Sequence, residues 1–146
     1  MATCEEIMEY RNKHNRFASY LGIRTTKITP GCARGEMVIK EPFENAIHSV
    51  HGGCIFSLAD TIGGAAAASH GMRMTTVSSD LHYLSPARNT EKLTAVAKEV
   101  KYGKRIIVCD VEVFDDSHKM IAKGLFSYFN LGEPLIADRG LNKFLD

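Results

Sequence analysis

The chain has 146 residues, 24% of them charged and 45% hydrophobic, with a formal net charge of +1 at pH 7. That length is enough to bury a core within one domain, 1–146, and no shift in composition marks a linker. With no basic or acidic block, binding of nucleic acid through phosphate neutralisation has no support, and small-molecule or protein partners are expected instead.

Thr3-x-x-Glu6 fits a capping box, and Ile7, Met8 and Tyr10 give the helix that follows some apolar surface as far as about Asn15. Phe17, Tyr20 and Leu21 form a second apolar cluster, read as cover for one edge of the core, with the lining of a substrate channel as the alternative. Together these make 1–20 an N-terminal helical segment. From Ile23 to Lys40 two strands are joined at Pro30-Gly31, with Thr25, Thr26, Ile28 and Thr29 before the turn and Met37, Val38 and Ile39 after it. Pro42 ends the hairpin, and Glu44 to Val50 is a loop that delivers Asn45 and His48 to the next element.

From Cys54 to Ser69 the residues are mostly Ala, Ile, Leu, Phe and Gly, which predicts a buried helix of about four turns. Between Asn45 and Met72 the only Asp, Glu, Lys or Arg is Asp60. A carboxylate in so apolar a helix needs either a hydrogen-bonding neighbour or a chemical task. The start of the helix, His51-Gly52-Gly53, lets the backbone approach another group, and the first amides of a helix can hold a carbonyl oxygen that is becoming negative. The plainer reading of two glycines is a tight loop. Gly52 and Asp60 are eight residues apart, about 12 Å along one helix, too far to share a substrate carbonyl. Two copies packed antiparallel in a symmetric dimer would bring the glycine end of one against the carboxylate of the other. The small residues from Gly63 to Ala68 would let the helix sit close to a sheet or a partner. The run is short of the roughly 20 apolar residues of a membrane span and carries Asp60, so no membrane insertion is expected.

Two other chemistries are weaker. His48-x-x-His51 with Asp60 would offer metal ligands, but the histidines lie in a loop and metal catalysis normally uses about three protein ligands with an open position. Cys54 beside a helix N-terminus could have a lowered pKa, yet its apolar neighbourhood favours a packing thiol. Cys4, Cys32, Cys54 and Cys109 form no C-x-x-C pair, so reduced thiols in the cytoplasm are expected, and no secretory signal is visible.

Beyond His70-Gly71, Thr75 to Leu84 reads as a strand closed by Pro86. Leu93 to Val100, Arg105 to Phe114 and Lys119 to Phe129 are three more, separated by hairpin turns at Tyr102-Gly103-Lys104 and Asp115-Asp116-Ser117-His118. Strands in meander order with one buried helix predict an α+β domain, a curved antiparallel sheet wrapped around the long helix. There is no Walker or G-x-G-x-x-G fingerprint. In the tail, 131–146, Leu135, Ile136, Leu141, Phe144 and Leu145 read as a short docking helix or as partial disorder.

Asn45, then His51-Gly52-Gly53, Leu58 and Asp60, followed by Leu81-His82-Tyr83-Leu84-Ser85-Pro86-Ala87 with its Tyr-x-x-Pro-Ala element, resembles the signature of the hotdog-fold acyl-CoA thioesterases of the phenylacetic-acid-degradation, or PaaI-like, type. The resemblance covers about residues 20–130. It implies the hotdog fold and hydrolysis of acyl-CoA to a carboxylic acid and CoA at the interface of a homodimer, two dimers pairing into a tetramer, with no cofactor and no metal. The Gly52 amide, helped by Gly53, would polarise the thioester carbonyl. Asp60 of the facing subunit would be general base towards water or a direct nucleophile. Asn45 would hold the water or thioester, the Thr76 hydroxyl would assist, and His51 would orient the turn. Arg88, Lys101, Lys104 and Arg105 could meet CoA phosphates, ordinary solvated charges being the alternative. A hotdog hydratase or dehydratase would be built on a histidine with a carboxylate in a different motif. A non-catalytic acyl-CoA-binding module would be favoured if Asp60 were held in a structural ion pair.

Overall fold

A computed structural model describes residues 1–137, and the chain in it opens on the capping box. The Glu6 amide donates to the Thr3 hydroxyl at 3.1 Å while the Thr3 amide donates to the Glu6 carboxylate at 2.8 Å. The helix so started, α1 (Cys4–His14), buries Ile7, and α2 (Arg16–Leu21) follows directly after Asn15. In α2, Ala18 and Leu21 face the core, whereas Phe17 and Tyr20 are 62% and 81% exposed. The two aromatics therefore do not cover a core edge. On so short a helix positions 18 and 21 share the inward face, which turns 17 and 20 outward.

Strands β1 (Ile23–Thr29) and β2 (Cys32–Val38) pair antiparallel across a turn in which Gly31 adopts φ of 77°. A 3-10 turn at Glu41–Phe43 leads to the long helix α3 (Gly52–Ala67), which buries Ile55, Leu58, Ala59, Ile62 and every residue from Gly63 to Ala67. Each large apolar side chain so removed from water contributes about 1.5–3 kcal/mol. After a 3-10 turn at Ala68–His70 come β3 (Met72–Tyr83), β4 (Lys92–Tyr102), β5 (Ile106–Phe114) and β6 (Met120–Pro134).

The sheet is antiparallel in the order β1-β2-β4-β5-β6-β3, and α3 packs against all six strands. The α+β architecture is the one expected, but the meander holds only for β4-β5-β6. The chain leaves β2, crosses the sheet as α3 and re-enters at the far edge, so β3 pairs with β6, and β4 returns to β2. Strand β6 also continues past Phe129 to Pro134, so residues 131–134 belong to the sheet. Leu135 and Ile136 are not helical; the Leu135 amide donates to the Gly71 carbonyl at 2.8 Å, and Leu141, Phe144 and Leu145 lie outside the described residues. Among the described residues no helix is long and apolar enough to cross a membrane.

The two ends of α3 meet different ends of the sheet. Its N-terminus lies where β3 finishes, the Val50 amide donating to the Ala87 carbonyl at 2.9 Å. Beyond its C-terminus, His70 stacks on Tyr102, at the end of the β4–β5 hairpin turn.

Candidate active site

At the start of α3 the His51 amide donates to the Phe43 carbonyl at 2.7 Å, and His51 itself is extended, with φ of −60° and ψ of 135°. Its Nδ1 accepts from the Gly53 amide at 2.8 Å, which places the ring proton on Nε2 and makes His51 the cap of the helix. Gly53 was expected to help polarise a carbonyl, but its N–H is occupied by this bond. The Gly52 N–H has no acceptor among the described residues, and it stands at the positive end of the helix dipole. Tyr83, from the Tyr-x-x-Pro-Ala element, donates its hydroxyl to the Gly52 carbonyl at 3.0 Å; burial pushes this phenol up, so it remains a donor. Tyr83 was not among the expected site residues.

Asn45 braces the loop before the helix. Its Oδ1 accepts from the Ile47 and Ser49 amides, both at 3.1 Å, and its Nδ2 donates to the Ser49 hydroxyl at 3.0 Å, leaving one Nδ2 hydrogen for another acceptor. His48, on the same loop, has φ of 60° and an exposed side chain. With His51 Nδ1 engaged and Asp60 two turns further along, these three groups do not converge, and the described residues contain no group of three His, Cys, Asp or Glu that could hold a metal ion. Burial pushes the Cys54 thiol up, opposite to what a nucleophile at a helix N-terminus needs.

Asp60 lies partly buried in the middle of α3. The Thr76 hydroxyl donates to its Oδ1 at 2.8 Å. Tyr128, which faces Thr76 across the β3–β6 ladder, brings its hydroxyl 3.2 Å from the same oxygen and 2.9 Å from the Asp60 carbonyl. A bulge at Val77 follows Thr76 directly, the kind of irregularity that re-aims a side chain at a site. Oδ2 has no partner, and no cation lies within ion-pair distance of Asp60, among the described residues.

Two groups of expected residues are thus formed within one chain. Asp60 and Thr76 meet in the middle of α3, while Asn45, His51, Gly52 and Gly53 meet at its start, about 12 Å away along the axis. Of the cations, Arg88 is exposed in the segment after β3, at the Gly52 end, whereas Lys101, Lys104 and Arg105 are exposed around the β4–β5 turn at the opposite end of the sheet. Tyr128 was missed by sequence reasoning, although a hydroxyl among Gly124 and Phe126 on the inward face of β6 signals a buried donor that must find a partner.

Residues 48–122, just over half of the chain, match the thioesterase superfamily. Over 129 residues the chain is 33% identical to a putative esterase of Archaeoglobus fulgidus, an alignment spanning 88% of this chain and 84% of that one. It is 32% identical over 105 residues to the acyl-coenzyme A thioesterase PaaI of Escherichia coli, covering 72% of this chain and 75% of the relative. The solved structure of the E. coli PaaI protein superposes with a TM-score of 0.79 at 27% identity, over 88% of this chain and 98% of that one. A Streptococcus mutans protein solved bound to acetyl-CoA superposes with a TM-score of 0.73 at 26% identity, over 77% and 90% of the two chains.

Proposed function

The chain belongs to the thioesterase superfamily, and from that premise we propose that it hydrolyses acyl-CoA thioesters to a carboxylic acid and CoA. Its sheet around one long helix is the hotdog fold that the sequence resemblance implied. The observation that carries the reading to a site is how Asp60 is held. Two hydroxyls converge on Oδ1, no cation contacts the carboxylate among the described residues, and Oδ2 is left without a partner. A carboxylate retained only for stability would be expected to have both oxygens paired, so an oxygen left without a partner argues against a purely binding module.

The site is completed in a homodimer. Strand β3 is 12 residues long, pairs only with β6, and leaves Val77 and Tyr83 exposed along an open edge. An edge of that length invites a partner strand. Two-fold antiparallel pairing of β3 with its copy runs two α3 helices side by side in opposite directions, Gly52 of one towards Asp60 of the other. The thioester oxygen then accepts from the Gly52 N–H, a contribution of about 10²–10³ in rate for one such donor. Asp60 of the partner subunit, through Oδ2, takes a proton from the water that attacks the carbonyl, or attacks it directly to give a mixed anhydride that water then cleaves. On either route the C–S bond breaks and the departing CoA thiolate is protonated, by the Asp60 carboxyl on the first route and by solvent on the second. The remaining Nδ2 hydrogen of Asn45 holds the water or the thioester oxygen near the same carbonyl, and His51 keeps the turn in place.

In this dimer Lys101, Lys104 and Arg105 of the partner subunit lie at the end that carries Gly52, together with Arg88, and they meet the phosphates of CoA. The outer face of the sheet, with Val96 and Leu125 exposed, is where two dimers pair into a tetramer. A cytoplasmic setting keeps the four free cysteines reduced. The test is thiol release from aromatic and aliphatic acyl-CoAs of increasing length, with the wild type and Asp60→Asn side by side. Turnover by the wild type and a fall of about 10² or more in the variant are expected. An undiminished rate in Asp60→Asn overturns the assignment of Asp60, and tight binding of acyl-CoA without release from any ester returns the protein to a binding module.

A further inference from the structure

We propose that Arg11 of α1 and Tyr128 of β6 are positioning residues of this site, together setting a positive charge near Asp60 and turning it so that Oδ2 alone is offered to the substrate. The inference rests on the thioesterase reading above and deepens it.

It begins with two consecutive glycines in the interior of α3, where alanine would be the better helix former. A Cβ on Gly63 would overlap the Tyr128 hydroxyl, and one on Gly64 would lie 3.2 Å from Arg11 Nη2. These positions are three and four residues beyond Asp60, on the same face of the helix. The bare stretch of α3 therefore admits one hydroxyl and one guanidinium, side by side, next to the carboxylate. The plain reading, that small residues here merely let a helix lie close to a sheet, fits Val111 Cγ2 at 3.1 Å from such a Cβ on Gly63 but does not explain why the nearest atom at each glycine is polar.

Arg11 lies four residues after the buried Ile7, on the inward side of α1. Its Nη2 donates to the Thr61 carbonyl at 3.0 Å, and its Nε is sealed from solvent with no acceptor. One carbonyl does not account for a guanidinium brought this far inside, because burial works against its charge. Burial pulls the Arg11 pKa down, and the neighbouring Tyr128 oxygen and the Asp60 carboxylate act in the opposite direction. The guanidinium thus sets a positive charge near Asp60 without touching it and leaves both carboxylate oxygens free for other partners. Tyr128 supplies the contact. Burial, and then the charge of Asp60, push its phenol well above the ordinary value, so it stays protonated and shares its one proton between the Asp60 carbonyl at 2.9 Å and Oδ1 at 3.2 Å.

The other elements packed against α3 bring little that could replace these two. The inward residues of β1 and β2 beside the helix are Ile23, Thr25, Ile28, Ala33, Gly35 and Met37, none of them titratable. On β4, Leu93, Ala95 and Ala97 precede Glu99, which is bonded to His70 at 2.8 Å. On β5 the titratable inward group is Cys109, pushed up to about 12 by burial first, then by Glu99 and Cys32, and therefore a neutral thiol. On β3, Thr76 faces Asp60, and Asp80 and His82 lie 3.3 Å from each other on the exposed part of the strand.

The test is the pH dependence of kcat for thiol release, measured for the wild type, Arg11→Met, Arg11→Lys and Tyr128→Phe, with Asp60→Asn as reference. Loss of the nearby positive charge, or of the donor to Oδ1, favours the protonated carboxyl, so the acid limb of kcat should move to higher pH by about half a unit to one unit. Arg11→Lys should restore the wild-type limb, and well above the limb Arg11→Met should approach the wild-type kcat, neither of which a merely structural role would produce. Tyr128→Phe removes one oxygen atom and keeps the ring, so it carries the test if Arg11→Met fails to fold. Acid limbs in the folded variants that coincide with the wild type overturn this inference and leave the thioesterase reading standing. Absence of thiol release by the wild type from every acyl-CoA overturns the underlying reading instead, and turnover that survives Asp60→Asn overturns the assignment of Asp60 on which both variants act.

Discussion

At Gly63 helix propensity and packing oppose one another, and the geometry decides between them. Alanine there would favour the helix by about 1 kcal/mol, but its methyl group would meet the Tyr128 hydroxyl in a closed interior, where overpacking costs about 1–3 kcal/mol. Gly63→Ala is therefore expected to lower stability in thermal unfolding and, by displacing Tyr128 from Asp60, to lower kcat as well; a more stable variant with wild-type kcat would contradict the packing. Thr76→Val poses the converse case. The side chain is exposed and keeps its shape, so stability should hardly change, while loss of the hydroxyl that orients Oδ1 should reduce kcat by about tenfold, equivalent to about 1.4 kcal/mol in the barrier, with KM little altered. Asp60 and Gly52 could be singled out in the chain because one charge in an apolar run and a glycine pair before it are visible as letters, whereas Thr76 came only from the family resemblance. Arg11 and Tyr128 could not be tied to Asp60 in that way. The i, i+4 spacing from Ile7 to Arg11 marks an inward cation, yet which helix it faces depends on contacts between residues fifty positions apart.

Among the elements, the β5–β6 turn carries a pH dependence that is separate from catalysis. Burial alone would raise the Asp115 carboxyl, but the Ser117 hydroxyl, the Lys119 and Ser117 amides and the Lys119 ammonium outweigh it and hold the group below its ordinary value. A carboxyl depressed in the folded state stabilises the protein above the pKa it has when unfolded, near 3.8, and loses that contribution as the pH falls through the lower folded value. Thermal unfolding followed from about pH 6 to pH 2 should thus show a shallower acid decline for Asp115→Asn than for the wild type, because the amide cannot titrate. Equal slopes would remove Asp115 from the account. This turn was foreseen, as were the helix, the capping box and both hairpins, because each is signalled by neighbours in sequence. The place of β3 was not. Its residues read as a strand, but the pairing with β6 follows from the path of α3 across the sheet, which no local pattern records. The outward turn of Phe17 and Tyr20 was missed for a related reason, since an apolar cluster does not state which of its members face the core.

For the whole molecule the proposed dimer implies that neither chain holds a complete site, and this can be tested by complementation. Gly52→Pro is the variant of choice at the glycine end. Proline removes the N–H and suits the first position of a helix. It also accepts the extended backbone of His51, at ψ of 135°, and its Cβ would lie 3.3 Å from the ring of Tyr83, a half-exposed side chain able to give way. Loss of that one donor should cost about 10²–10³ in rate. In a mixed dimer of Gly52→Pro with Asp60→Asn, one interface site combines both lesions and is dead, while the other combines an intact Gly52 with an intact Asp60. Co-expression in equal amounts with random pairing makes half of the dimers mixed, so about a quarter of all sites should be active, far above either variant alone. If Gly52 and Asp60 acted within one subunit, every chain in the mixture would carry a lesion and the activity would stay at the level of the two parents. Recovery of about a quarter of the wild-type rate can arise only from sites shared between subunits, as the proposed pairing along the open edge of β3 requires.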